Sequence, residues 1–180
     1  MPAQFELVVY FKTSADLEEL ARQVFRSLGG GDYTSGDDPS FGGEFRRLDA
    51  LGLEATLFQN QGEMLDEDFD EYAYGLLLAP MYIDPDLELA PVEAPLAEYF
   101  ARLLAFHSDA EVATSIYLGS QDGLDLYEIR AFKRNPQFVP NSGPTSPRVY
   151  ISERRTVEYE ADEDLADEDG DDEGPGTDEE

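Results

Sequence analysis

The chain has 180 residues, 41% of them hydrophobic and 12% aromatic, enough for one globular unit with an ordinary core. Its formal charge is −29, from 12 basic and 41 acidic residues; Glu158 to Glu180 holds 14 acids and no base, which leaves 27 acids against 12 bases in the body. Such a surface repels nucleic acid and anionic membranes, whose affinity for proteins comes mainly from Lys and Arg, so the expected partner is a basic protein.

The first element is "FELVVYF", residues 5 to 11, β-branched and aromatic and apolar on both alternating faces. That pattern predicts a central strand covered on both sides. From Thr13 the period changes: Leu17, Leu20, Ala21, Val24 and Leu28 recur at helical spacing, with Thr13 or Ser14 as cap and Gly29 to Gly31 as the stop. "DYTSGDDPSFGG", residues 32 to 43, reads as a loop from its Gly, Asp, Ser and Pro content. "EFRRLDAL" and "LEATLFQN" then form a hairpin about Gly52.

The second half has the same order. "YAYGLLLAPMYI", residues 72 to 83, predicts a strand, and Leu96, Tyr99, Phe100, Leu103 and Leu104 mark a helix that Pro95 can open. "VATSIYLG" and "LDLYEIRAF" flank "SQDG", where Asp122-Gly123 makes a tight turn because Gly tolerates positive φ. The expected fold is therefore α+β: two βαββ units forming a mostly antiparallel six-stranded sheet, both helices on one face, the other face left to loops or a partner. This domain spans residues 1–134. A Pro-rich linker with a possible short edge strand follows over 135–159, and then a disordered acidic tail over 160–180 that is too polar to offset chain entropy.

No motif specifies a reaction. Cysteine is absent, which removes disulfides, thiolate metal sites and a cysteine nucleophile, and fits a reducing compartment. The start, "MPAQFELVVYFK", lacks the basic and long apolar regions of a secretory signal, and the longest apolar run, Gly75 to Ile83, is too short to cross a bilayer. Asp66, Asp68 and Asp70 have the opening spacing of a calcium loop, but Glu71 occupies the sixth position, where the turn needs Gly, and Leu77 the twelfth, where a bidentate Glu belongs. Neither metal nor cofactor is expected. His107, the single histidine, falls on the apolar line of the second helix, where packing is the simpler role. Acid pairs such as Glu54, Glu63, Asp125 and Glu128 carry little information in a chain with 41 acids, so no catalytic residue is assigned and the protein is read as a non-enzyme.

The densest feature is "GEMLDEDFDEYAYG", residues 62 to 75. In one reading it is a solvated connection in which Phe69 and Tyr72 reach the core and the acids stay wet. In the other it is an interface, with Asp66, Glu67, Asp68, Asp70 and Glu71 receiving Arg or Lys and Tyr72 and Tyr74 supplying contact area. Two alternatives stand beside it: a small-molecule enzyme or sensor with its ligand between the open sheet face and residues 32 to 43, and an acidic composition that reflects a saline environment with no charge-specific partner.

The strand-to-helix run "FELVVYFKTSADLEELARQVFRSLG", the strand pairs, the helix "LAEYFARLLAF" and the final hairpin together resemble the small, acidic, cysteine-free immunity proteins of bacterial polymorphic-toxin and contact-dependent systems. The resemblance covers residues 4 to 134 in architecture and composition. It implies a cytoplasmic inhibitor that binds a cognate toxin stoichiometrically, with acidic side chains occupying a basic active site.

Overall fold

A computed structural model describes residues 7–50, 52–81, 90–138 and 148–160, with the backbone alone for residues 90 and 91. The acidic tail lies outside the described residues from 161 on, as does 139–147 of the expected linker.

Strand β1, Leu7–Lys12, is central as its two-sided apolar pattern requires. Helix α1, Leu17–Ser27, is capped by Asp16, whose Oδ1 accepts from the Glu19 amide at 2.8 Å; Thr13 instead accepts from Ala15 N at 3.1 Å. The helix ends in a left-handed Gly29, and Gly30 N reaches back to Phe25 O at 2.9 Å. Four more strands follow: β2 (Thr34–Asp38), β3 (Gly43–Ala50), β4 (Leu53–Gln59) and β5 (Tyr74–Pro80). Helix α2, Ala90–His107, leads to β6 (Glu111–Gln121), β7 (Leu124–Arg134) and β8 (Val149–Glu160). Both expected turns form, with Gly52 at φ 76° and Asp122-Gly123 at φ 54° and 78°.

The fold is α+β, with one open sheet of eight strands in the order β2-β3-β4-β5-β1-β6-β7-β8, each neighbouring pair antiparallel. This corrects the expected six strands in two ways. Residues 34–38, expected as loop, form β2 because they pair with β3 through five register positions. Gly36 makes room there: the Phe45 ring lies 2.3 Å from where a Cβ would stand. Residues 149–160, expected as a short edge strand or a linker, pair with β7 from Val149 opposite Arg134 to Glu160 opposite Leu124. The two expected βαββ units are each one strand longer, and they are laid down differently. From β1, α1 carries the chain to the far edge, and β2 to β4 return inward to β5; from β5, α2 crosses β1 to β6, and β7 and β8 step outward.

Both helices pack on one sheet face, where Val9, Phe11, Leu57, Leu76, Val112 and Phe132 meet Leu20, Val24, Ala101 and Leu104 in the main core. Helix α2 begins before Pro95, and its buried side is Ala97, Ala101, Leu104 and Ala105 rather than the larger stripe read from the sequence; Leu96, Phe100 and Leu103 are only partly covered and Tyr99 is exposed. Alanines let the helix axis approach the sheet, which pushes the bulkier side chains to the flanks. Among the described residues no helix is long and apolar enough to cross a membrane.

Candidate functional site

The sheet face opposite the helices is crossed by residues 60–73, which form a strap over β1, β6 and β7. Two short 3-10 turns, Gly62–Met64 and Glu67–Phe69, shape it. Its apolar pegs are Phe69 and Tyr72, both buried against Tyr10, Ala113, Ile129 and Ala131. Phe69 stacks on Tyr10 with ring centroids 4.0 Å apart and planes inclined by 13°, and Tyr72 meets Phe69 edge-on.

A buried Asn60 fastens the strap at its base. Its Nδ2 donates to Phe69 O at 2.7 Å and Tyr72 O at 3.0 Å, its Oδ1 accepts from Asp66 N at 3.0 Å, and its own amide donates to Ala73 O at 3.0 Å. Asn60 was not singled out from the sequence. Only its position at the end of a strand, before an acidic connection, could have drawn attention to it.

Three strap carboxylates are used internally. Asp66 caps the second 3-10 turn through Asp68 N and accepts from the Tyr10 hydroxyl at 2.9 Å. Asp68 accepts from Arg155 at 3.3 Å and from the Tyr159 hydroxyl, which ties the strap to β8. Glu71 pairs with Lys12 of β1. Glu67 and Asp70, both exposed, have no hydrogen-bond or ion-pair partner among the described residues. With Asp68, Glu71 and Glu153 they surround a groove of about 310 Å3 floored by Tyr72 and Ile129, in which Arg155 is the single base among the described residues.

Of the seven residues read from the sequence as a contact surface, five therefore meet at this groove: Glu67, Asp68, Asp70, Glu71 and Tyr72. Asp66 turns to the other flank of the strap, beside Tyr10 and Ser115. Tyr74 shares the side of Phe11, its register partner, so the sheet separates it from the acids. Tyr72 is in the core and offers the groove only part of its ring.

The electrostatics follow from burial and proximity. Burial first, then the charge and hydrogen bond of Asp66, pushes the Tyr10 hydroxyl far above the ordinary phenol range. Tyr72 rises for burial and for the carboxylates of Glu111, Glu153 and Glu71, and Tyr159 for burial and its bond to Asp68. The Lys12 hydrogen bond and charge hold the Glu71 carboxyl below the usual range. Burial raises Glu111, but hydrogen bonds from Lys133 and Ser152, with the charges of Lys133 and Lys12, outweigh it and leave the carboxyl low. All of these groups keep the charge they carry at neutral pH.

The remaining candidates scatter. Asp125 and Glu128 lie on opposite sheet faces, and Glu128 is paired with Arg130 and Arg154. Glu54 pairs with Arg47 at 3.5 Å. His107 is exposed at the end of α2, edge-on to Phe106, and lines a cavity of about 810 Å3 with Arg22 and Arg26 on the helical side. Of residues 32 to 43, Tyr33 lines that cavity, on the helical face and not on the open one. No group of His, Cys, Asp and Glu among the described residues is arranged to hold a metal ion. Comparison with protein families, curated proteins and solved structures finds no match to this chain.

Proposed function

We propose that the protein is a non-enzymatic binding module that neutralises a basic protein partner, in the manner of a cytoplasmic immunity protein inhibiting a toxin. The observation that carries this reading is the strap groove: two carboxylates, Glu67 and Asp70, have no partner among the described residues and stand beside three more acids and one arginine. Some acids elsewhere are paired, Glu98 with Arg102 and Arg130, Glu18 with Arg46, and Glu111 with Lys133, and others such as Asp37, Asp49 and Glu63 have no partner among the described residues; the groove differs in gathering five carboxylates around one arginine. Uncompensated charge on a scaffold pinned at Asn60 is pre-organised to receive a cation, since little order remains to be lost on docking. The body charge would steer such a partner toward the groove from a distance.

The test replaces the free carboxylates without touching those that hold the strap: Glu67→Gln with Asp70→Asn. A basic partner recovered from native lysate and purified is titrated against both forms. We expect the double variant to bind several-fold more weakly at low salt, with the gap closing at high salt. Equal binding at low salt would remove the groove from the contact.

A further inference from the structure

Beyond the strap, three tyrosines lie side by side on the uncovered part of the same face. Tyr117 of β6 is the register partner of Tyr127 of β7, and their centroids are 5.2 Å apart; Tyr127 meets Tyr159 of β8 at 5.5 Å. Tyr117 is 49% exposed and Tyr159 44%, large values for ring side chains inside regular strands. The row is flanked by carboxylates: Asp125 accepts from Tyr117 at 3.4 Å and from Ser120, and Asp68 accepts from Tyr159.

No cation of the chain's own covers this row. Arginines cover two other ring groups, Arg47 lying 5.6 Å from the Phe41 centroid and 5.4 Å from Phe45, and Arg148 5.7 Å from Phe106 and 5.4 Å from Phe138; the exposed Tyr99 with Phe100 is uncovered too, but no carboxylate among the described residues bonds to it. Over Tyr117, Tyr127 and Tyr159 no cation stands among the described residues, and Arg155, the nearest candidate on the same strand face, is held by Asp68. The face therefore offers π-surface and carboxylates in one place, with the cation to come from outside.

We propose that the Tyr117–Tyr127–Tyr159 row is an arginine-selective docking surface for the basic partner, a step that rests on the binding function proposed above. A guanidinium is planar and weakly hydrated, so it can lie flat on a tyrosine ring while its N–H edge bonds to Asp125 or Asp68. A lysine ammonium gains the charge but loses the stacking and the forked geometry. The strap groove supplies attraction to any cation, and the ring row discriminates between the two kinds.

The probes are labelled nona-arginine and nona-lysine peptides, measured by fluorescence anisotropy against the full chain at low salt. The arginine peptide should bind roughly fivefold more tightly. Tyr117→Leu with Tyr127→Leu should abolish that preference while leaving lysine-peptide affinity in place; Tyr117→Phe with Tyr127→Phe, which keeps the rings, should retain it. Glu67→Gln with Asp70→Asn should weaken both peptides alike. Equal affinity for the two peptides, or a preference untouched by the leucine pair, would overturn arginine selectivity and leave the basic-partner reading standing. If neither peptide binds, arginine selectivity and the basic-partner reading both fall.

Discussion

The two faces of the sheet are held down by different physics. On the helical side, α1 and α2 bury a continuous apolar cluster with Phe11, Phe25, Leu104 and Phe132 almost fully enclosed. On the other side a small cluster of Tyr10, Phe69, Tyr72, Ala113, Ile129 and Ala131 is sealed by a strap that depends on one buried amide and on side-chain links from Lys12, Tyr10, Arg155 and Tyr159. The first face sets stability. The second combines modest burial with polar bonds, whose strength depends on pH and salt. The docking surface proposed for the protein is built on that second face.

The contrast is broken most severely from the helical side. Phe132→Ala removes a fully buried ring from the main core and should cost about 3–5 kcal/mol, read by denaturant unfolding. Asn60→Ala is the corresponding change under the strap: it strands two carbonyls and one amide, and a loss of about 1–3 kcal/mol is expected. Its signature differs from that of the core variant, because hydrogen exchange should accelerate first in residues 60–73.

Alkali sharpens the same contrast. Tyr10, Tyr72 and Tyr159 all have raised ionisation in the folded state, so the stability they contribute is fully present below the ordinary phenol value of about 10 and is lost as pH rises above it. The chain has ten tyrosines and no tryptophan, so absorbance at alkaline pH resolves them. Tyr10, Tyr72 and Tyr159 should ionise above the ordinary phenol value, and only as the strap detaches. Simple titration of all ten together near the ordinary value would contradict the strap's geometry. The smallest effect belongs to Arg155→Gln: its ion pair with Asp68 is partly exposed, and the expected loss is under about 1 kcal/mol, shrinking with added salt.

Much of this was legible in the sequence where a repeating pattern met a single environment. Strand β1 is apolar on both alternating faces because both are covered, α1 shows its stripe because one side alone is buried, and Gly52 and Asp122-Gly123 mark turns by their backbone freedom. Strand β2 was not legible, because "TSGDD" is largely exposed and becomes a strand only through β3 and the ring of Phe45 over Gly36. Strand β8 hid its period: the register shifts between Ala131 and Phe132, so Ile151 packs toward the helical core while Val157 packs toward the strap cluster. The strap's acids were visible as residue types, but the partners that occupy them were not. Lys12 lies 59 residues from Glu71 and Arg155 lies 87 from Asp68, distances at which a sequence gives no sign of pairing.

The most direct test of an acidic docking face is the rate at which a purified basic partner associates with the full chain as salt is varied. We predict that association of the native chain slows steeply from low to physiological ionic strength, and that Glu67→Gln, Asp70→Asn and Glu153→Gln together flatten that dependence while changing dissociation little. An association rate indifferent to salt, or a triple variant with the native salt dependence, would contradict it.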